Sequence, residues 1–187
     1  IGIFGIQAFY PTIEVNDEKS FSIDGITSLQ VDMTKEHIRV IQAQTNEVKV
    51  HYHGTSKQIL KLSSKTNNGT VVIGSTRTTN LMRDNLYVDI YIPENYNTQL
   101  ILHTTSGDVT SEKVQSGAIT INTTSGKISL NDCAGNINLK TSSGNICATY
   151  NNFDKQDIHI AATSGNIQLK LPSTAEFLLE AKTSTGK

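Results

Sequence analysis

In the C-terminal half of the chain, apolar and polar residues alternate around a glycine that recurs about every twenty positions. The glycines are Gly107, Gly126, Gly144, Gly165 and Gly186, and they are 19, 18, 21 and 21 residues apart. Apolar residues stand seven and five positions before each glycine: Leu100 and Leu102, Ile119 and Ile121, Ile137 and Leu139, Ile158 and Ile160, Leu179 and Ala181. The residues between them are mostly polar. A period of two predicts short β-strands with one buried and one exposed face.

The regular spacing of these units predicts a repeat architecture, because stacked copies of one coil need the same corner at the same place. Each unit holds two short strands, one ending at a Thr-Ser-Gly turn and one starting from it. The predicted fold class is therefore all-β: a single-stranded β-solenoid or β-helix with about two short strands per coil of roughly 20 residues. The coils are regular in the C-terminal half, and their core is a stack of Ile, Leu and Val ladders.

A second turn is expected halfway through each unit, at Gly117, at Gly135, and near residues 152–155 and 172–174. Glycine adopts positive φ without a steric cost, so the repeated glycines are interpreted as structural turn residues. They are Gly107, Gly117, Gly126, Gly135, Gly144, Gly165 and Gly186. Thr and Ser fill most of the three positions before each corner and are expected to form hydroxyl ladders on successive coils.

The N-terminal half is also rich in strand patterns, but they are less regular. The predicted strands are Lys19–Ile23, Thr27–Met33, His37–Ala43, Glu47–Tyr52, Ile59–Ser63, Thr70–Gly74 and Leu86–Ile92. No segment has a convincing helical stripe. We expect one domain over residues 20–187, with irregular coils at 20–98 and regular repeats at 99–187. Residues 1–19 form a separate N-terminal segment in this interpretation, and the apolar stretch IGIFGIQAF indicates a remnant after a signal or anchor helix.

Composition and charge exclude several classes of function. The net charge is −1 over 187 residues, so there is no basic excess that would indicate nucleic-acid binding. No run of 18 apolar residues exists that could cross a membrane as a helix. Nucleotide-binding glycine motifs are absent from the sequence. The two cysteines, Cys133 and Cys147, form neither a disulfide framework nor a metal motif. Cys133 is expected to point inward and Cys147 outward.

The block VDIYIPENYNTQLILHTTSGDV, followed by repeated S-G-x-I corners, resembles the bacterial putative-adhesin family of β-solenoid domains. The resemblance covers roughly residues 20–187 and is diffuse before residue 85. Members occur in cell-envelope proteins, including Gram-positive membrane-anchored proteins of the envelope-stress type. The resemblance implies a surface-exposed, non-catalytic β-solenoid. The ending TSTGK departs from this pattern, because it stops at a corner where another strand should begin. Either a capping piece is missing or the last coil is truncated, since solenoid ends are usually covered.

Few residues suggest a metal or cofactor. His51 and His53 lie on one face of a predicted strand, but a metal site needs three or four ligands and no third candidate is near in sequence. The corner column Asp108, Lys127, Asn145, Asn166 and Lys187 has one aspartate, which does not fit a calcium β-roll. These positions are interpreted as turn residues that satisfy local backbone groups. We therefore expect neither a metal site nor a cofactor.

Catalysis is not favoured by the pattern of acidic residues. A glycosidase needs two carboxylates about 5–10 Å apart, flanking the bond that is cleaved. The outward acids of the regular repeats, Asp108, Glu112, Asp132 and Glu180, occupy different columns and coils. The threonines cluster at corners rather than in a flat lattice, which also argues against ice binding. The chain is therefore predicted not to be an enzyme, and a polysaccharide-active β-helix remains the second alternative.

The preferred functional hypothesis is a non-enzymatic module of the cell surface or envelope, an adhesin that binds an envelope or extracellular ligand. Its partner would be an envelope glycan or protein, contacted along a long face by Asn, Thr and Lys and by Tyr87, Tyr91 and Tyr150. The first alternative is a structural or regulatory docking scaffold in an envelope-stress system, which an exposed apolar patch would favour. The expected location is extracellular or at the cell surface, with membrane anchoring outside this chain.

Overall fold

The computed structural model describes residues 11–77, 84–178 and 180, and it confirms the all-β prediction. Fifteen strands and no helix occur among these residues, so no described segment is a helix that could cross a membrane. The strands are β1 (Ile13–Ser22), β2 (Ser28–Asp32), β3 (His37–Ala43), β4 (Glu47–Ser56), β5 (Leu62–Asn67), β6 (Thr70–Ser75), β7 (Asn85–Pro93), β8 (Gln99–Thr104), β9 (Val109–Glu112), β10 (Gln115–Thr123), β11 (Ile128–Asn131), β12 (Ala134–Ser143), β13 (Ile146–Thr149), β14 (Ile158–Ser164) and β15 (Ile167–Lys170).

The strands form two sheets. The larger, eight-stranded sheet has the order β1-β4-β7-β3-β9-β11-β13-β15, and the seven-stranded sheet has the order β14-β12-β10-β8-β2-β6-β5. In the order of the eight-stranded sheet, all neighbours from β7 to β15 are parallel, and in the order of the seven-stranded sheet, all neighbours from β6 to β14 are parallel. Each coil therefore gives one strand to each sheet, as a solenoid requires.

The coils do not stack in chain order. The coil β2–β3 is followed in space by β8–β9, while β6–β7 stacks on its other side. Beyond β7 and β6, the end of the stack is closed by the antiparallel strands β4, β1 and β5. The irregular N-terminal half predicted from the sequence is thus one end coil plus an antiparallel cover.

The core lies between the two sheets and is made of apolar ladders along the stack. One ladder in each sheet illustrates it: Leu29, Leu100, Ile119, Ile137 and Ile158 in the seven-stranded sheet, and Ile38, Val109, Ile128, Ile146 and Ile167 in the eight-stranded sheet. Most members are fully buried. Burial of each such side chain contributes about 1.5–3 kcal/mol, which is why the alternating pattern fixes the register.

Close approach of the backbone explains the corner glycines better than positive φ does. A Cβ added to Gly107 would lie 1.8 Å from the carbonyl oxygen of Glu36, and one on Gly126 would lie 1.9 Å from that of Gly107. Gly144 and Gly165 would each meet the preceding corner at 2.2 Å. Of these four, only Gly165 has a positive φ, so the expectation that conformation selects glycine holds there alone. Gly186 lies outside the described residues.

In the first two regular coils the second corner lies earlier than the predicted Gly117 and Gly135, whereas the later turns lie where they were predicted, near residues 152–155 and 172–174. Gly117 and Gly135 are within β10 and β12, and the positive-φ positions of the turns are Lys113 and Asp132, both at φ 53°. Gly135 itself has φ 90°, and a Cβ there would lie 2.0 Å from the Ser116 carbonyl oxygen. Glycine is thus needed where the strand begins, at a register shift, rather than at the turn.

Several predicted strand boundaries differ from the structure, and the largest differences are at β1, β4 and β5. The predicted strand Ile59–Ser63 is observed as β5 from Leu62, and Ile59 is 76% exposed in the preceding loop. The first strand begins at Ile13 and pairs along its whole length with β4. Residues 13–19 therefore belong to the sheet, across the boundary predicted at residue 19.

A buried ionic network joins the first corner to the end of the stack. Glu36 is fully buried, and its Oε2 accepts hydrogen bonds from the amides of Thr34 and Lys35, both at 2.9 Å. Its Oε1 accepts from the Tyr52 hydroxyl at 2.9 Å and from Arg77, which also donates to Asp84 at 2.6 Å. Burial alone would raise the pKa of Glu36, but the amide hydrogen bonds and the Arg77 charge outweigh it and lower the pKa.

Candidate functional site

The outer surface of the eight-stranded sheet carries a cluster of aromatic, basic and histidine side chains near its covered end. We call it the histidine–tyrosine face, and it consists of His37 and Arg39 of β3, His51 and His53 of β4, and Tyr87, Asp89 and Tyr91 of β7. Each alternates with buried core residues along its strand. Period-two alternation therefore places all seven on the same side of the sheet.

Strand register brings these residues side by side although they are distant in sequence. Arg39 and His51 both lie opposite Asp89, from β3 on one side of β7 and from β4 on the other. In the same way His37 and His53 lie opposite Tyr87. Directly opposed side chains on one sheet face are within contact distance, so the ladder itself builds the cluster.

Asp89 is the electrostatic centre of the face. Arg39 donates from Nε to Oδ1 at 2.6 Å and from a terminal nitrogen to Oδ2, which is a bidentate pair. His53 Nε2 is 3.1 Å from the same Oδ2. The Asp89 side chain is only 5% exposed, against 45% for Arg39, because its neighbours cover it. The hydrogen bond to Asp89 is the main cause that raises the pKa of Arg39.

The rings of the face are stacked in a row. His51 and His53 have ring centroids 4.7 Å apart, His53 and Tyr87 5.5 Å, and His37 and Tyr87 5.3 Å, all with small interplanar angles. The Arg39 guanidinium lies 5.3 Å from the centre of the Tyr87 ring, within range of a cation–π contact. Neighbouring rings cover both faces of Tyr87, so the row presents ring edges and polar tips to a ligand. Because the rings pack on one another, they have little rotamer freedom left to lose on binding.

Two shallow depressions flank this row. One, of about 470 Å³, is lined by Arg39 and Ile41 and by residues of the next two coils, among them Thr110 and Glu112. The other, of about 480 Å³, lies beside His51 and Tyr91 and is bordered by Glu18 and Lys49, whose charged groups are 2.9 Å apart. The face can therefore hold an extended ligand rather than an enclosed one.

The structure brings a carboxylate to the two histidines that the sequence singled out. His51, His53 and Asp89 offer ligand atoms that all lie within 4.8 Å of one another. Asp89 was missed because it is 36 residues from His53, in a strand that pairs with β4 only in the folded chain. The sequence signal that could have found it is the motif YVDIY, in which a single carboxylate stands between two outward tyrosines.

Tyr150 is not available to a ligand, contrary to the expectation for it. It is buried, its hydroxyl donates to the Gly135 carbonyl oxygen at 2.9 Å, and its ring packs edge-on against Phe153. The other two tyrosines, Tyr87 and Tyr91, are partly exposed on the face. The period-two alternation of Ile146 and Ala148 in β13 continues to Tyr150 and turns it inward, so the expectation of an outward ring disagreed with the pattern itself.

The cysteines are located as the alternation predicted. Cys133 is buried and Cys147 is partly exposed, and both are free thiols. Burial raises the pKa of Cys133 to about 12, which makes that thiol unreactive at neutral pH. The Cys147 sulfur is 3.6 Å from the Gln168 side-chain oxygen on the adjacent strand.

Side chains of the corner column accept hydrogen bonds from backbone amides of the next coil. Asp108 accepts a hydrogen bond from the Lys127 amide at 2.8 Å, and the Asn145 side chain accepts one from the Asn166 amide at 2.9 Å. Threonine hydroxyls one turn earlier accept from the amides of Gly107 and Gly126, at 3.2 and 3.0 Å. Each coil is thus tied to the next at this corner.

The remaining outward acids are dispersed. Asp132 occupies a positive-φ turn position, and Glu112 lines the depression beside Arg39. Glu180 lies beyond the last strand of the described residues. Asp108 and Glu112 lie in one coil, at opposite ends of β9, contrary to the expectation that all four acids occupy different coils.

Solved structures share this architecture at low sequence identity. A protein from Clostridium sporogenes, described as a putative cell adhesion protein, has a TM-score of 0.64 at 12% identity, covering 87% of this chain and 100% of that one. A protein from Parabacteroides distasonis, described as a putative adhesin, has a TM-score of 0.36 at 11% identity, covering 82% of this chain and 78% of that one. Another, from Bacteroides fragilis, has a TM-score of 0.28 at 10% identity, covering 90% of this chain and 100% of that one. The first likeness shows the fold alone. No curated protein matches the chain significantly.

The model of the Toastrack DUF4097 family matches the chain in two overlapping stretches, residues 26–119 and 98–187. The overlap contains the coil β8–β9 and most of β10, so both stretches are built from the same stacked coils. The resemblance to an adhesin-type β-solenoid family noted in the sequence is confirmed. Because the two matches together span most of its length, the chain belongs to the Toastrack DUF4097 family, whose fold is β-solenoid-like.

Proposed function

We propose that this protein is a non-enzymatic binding module of the bacterial cell surface, which recognises an envelope or extracellular glycan through the histidine–tyrosine face. The observation that carries the proposal is the row of stacked rings from His51 to His37, flanked by two open depressions. The description of the Clostridium sporogenes structure as a cell adhesion protein supports a surface role.

The chemistry of the face suits a saccharide. A pyranose ring has an apolar face of C–H groups that packs on an aromatic ring, and its hydroxyls both donate and accept hydrogen bonds. Tyr91, which lines the second depression, supplies a ring with a polar tip, and Lys49 and Glu18 lie beside it. Because Arg39 and His53 are already fixed by Asp89, binding would order few additional side chains.

A role in binding is favoured over hydrolysis by the state of the central carboxylate. Glycoside hydrolysis needs a carboxyl group that can donate or accept a proton or attack the sugar. Both oxygens of Asp89 are held by Arg39, and the Glu18 carboxylate is paired with Lys49. These two acids therefore have partners that oppose a catalytic role.

The proposal is tested by measuring binding of the purified chain to a glycan panel and to cell-envelope fractions. Wild type is compared with Tyr91→Ala and with Lys140→Ala, which removes an exposed outward side chain on the seven-stranded sheet. We expect saturable binding to a defined glycan, weakened up to about tenfold by Tyr91→Ala, since one aromatic contact contributes about 0.5–1.5 kcal/mol. Lys140→Ala should bind like wild type.

The opposite results are equally informative. Retention of one envelope protein without saturable binding to any glycan would overturn the glycan proposal in favour of a docking scaffold. Equal binding by wild type and Tyr91→Ala would place the binding surface elsewhere on the molecule. Release of reducing sugar from a bound polysaccharide would contradict the non-enzymatic role.

A further inference from the structure

We propose that His51, His53 and Asp89 form a binding site for a divalent transition-metal ion of the Zn²⁺, Ni²⁺ and Cu²⁺ class. This site goes beyond glycan recognition and does not depend on it. The three side chains come from two paired strands of one sheet, and their ligand atoms lie within 4.8 Å of one another. The rigid ladder between β4 and β7 therefore gathers the ligands before any ion arrives.

The geometry is close to that of a metal site. Ligand atoms about 2.1 Å from a tetrahedral ion are about 3.4 Å from each other. His53 Nε2 and Asp89 Oδ2 are already 3.1 Å apart. His51 lies on the same strand face two residues away, with its ring stacked on that of His53. Its Nε2 hydrogen bond to Asn16 Oδ1, 2.9 Å long, is the contact that the ion would replace.

The donor set selects the class of ion. Two imidazole nitrogens with one carboxylate oxygen suit Zn²⁺, Ni²⁺ and Cu²⁺, whereas Ca²⁺ and Mg²⁺ prefer oxygen ligands alone. Three protein ligands leave at least one coordination position open to solvent. Both histidines are partly exposed, so an ion can reach the site from the surface.

Arg39 occupies the position of an outer partner to the Asp89 carboxylate. Its Nε donates to Oδ1 and holds the carboxylate, while its terminal nitrogen donates to Oδ2 and lies 3.4 Å from His53 Nε2. An ion would have to displace that terminal nitrogen from Oδ2, and the Nε bond can remain. Such outer hydrogen bonds orient metal ligands in proteins. Its positive charge also opposes a dication at short range, so Arg39 should fix the geometry of the site while it weakens the affinity.

The first experiment is a calorimetric titration of the full chain with Zn²⁺. Wild type is compared with His51→Ala, with His53→Ala and with the control His103→Ala. His103 is a suitable control because it also pairs with one aspartate, Asp32, at 2.8 Å, but on the other sheet. We expect one ion per chain for wild type and for the control, and at least tenfold weaker binding for each of the other two variants.

A second measurement counts the nitrogen ligands. Electron paramagnetic resonance of bound Cu²⁺ should show two imidazole nitrogens in wild type and one in His51→Ala or His53→Ala. Arg39→Gln should bind Zn²⁺ more tightly, since it removes a positive charge that is bonded to Asp89 Oδ2; unchanged or weaker binding would contradict an ion that competes with Arg39 for this oxygen. The proposal would be overturned if wild type did not bind Zn²⁺, or if wild type and both histidine variants bound it equally well.

Discussion

Replacing Gly126 by alanine tests the claim that the corner glycines are selected by close stacking of the backbone. The added Cβ would lie 1.9 Å from the carbonyl oxygen of Gly107 and 2.9 Å from the Thr123 hydroxyl oxygen. Real Cβ atoms approach such atoms no closer than about 3.0 Å. The two corners would therefore have to separate by roughly 1 Å, a fifth of the spacing of about 4.8 Å between neighbouring strands.

The expected loss of stability for Gly126→Ala is about 3 kcal/mol or more, at the upper end of what overpacking a rigid interior costs. Gly25→Ala is the matched control, because Gly25 has φ +75° but nothing within 4 Å of an added Cβ. There only the left-handed conformation opposes alanine, at a cost of roughly 1–2 kcal/mol. Gly126 has no positive φ, so the two variants separate the two causes.

Urea denaturation followed by circular dichroism gives both free energies of unfolding. The reasoning requires Gly126→Ala to lose clearly more stability than Gly25→Ala, with an unchanged denaturant slope. Equal losses, or a loss below about 1 kcal/mol at Gly126, would show that the corner relaxes easily and would refute the stacking argument.

Three further predictions concern buried groups. The pKa of Glu36 is lowered from 4.5, so its carboxylate stabilises the fold at pH values above 4.5, and this contribution is lost as pH falls through the lower folded pKa. In denaturant titrations between pH 5 and about pH 3, Glu36→Gln should therefore lose less stability than wild type. With a thiol reagent at about pH 8, Cys147 should react quickly and Cys133 should react only on unfolding. Cys147→Ser should remove the fast phase of the reaction, and a fast phase that persists in this variant would contradict the burial of Cys133. Tyr150→Phe should lower the stability by about 1 kcal/mol, because the Gly135 carbonyl loses its partner, and should leave ligand binding unchanged; altered binding with unaltered stability would contradict this structural role.

The regular coils were predictable because their information is local. Period-two alternation and a fixed spacing place Ile119 and Ile137 in one ladder without any knowledge of distant segments. The inward orientation of Cys133 follows from the same pattern. The reason for glycine at Gly126 was not predictable, because a close approach between corners leaves no local conformational signal.

The histidine–tyrosine face depends on pairings that the sequence does not encode locally. Its centre, Asp89, contacts Arg39 across 50 residues of chain and His53 across 36. The sequence pattern gives each strand and its outward residues, but it does not say that β7 lies between β3 and β4. In a sheet stacked in chain order, β7 would not lie between β3 and β4.

The displaced order of the coils has a consequence for how the chain folds. In the regular repeats, contacts between neighbouring coils join residues about 20 apart, such as Asp108 and Lys127, 19 residues apart. The junction of β2–β3 with β8–β9 joins His37 and Asp108, 71 residues apart. Closing the longer loop costs about 1.2 kcal/mol more in chain entropy.

Folding should therefore start in the C-terminal coils, and the N-terminal coils should join last. Pulse-labelled hydrogen exchange would test this order by showing whether the amides of β10–β13 become protected before those of β2 and β3. The C-terminal end of the stack would then form before the N-terminal end. The histidine–tyrosine face would assemble only when the N-terminal coils join. Any activity of that face would report complete folding of the chain.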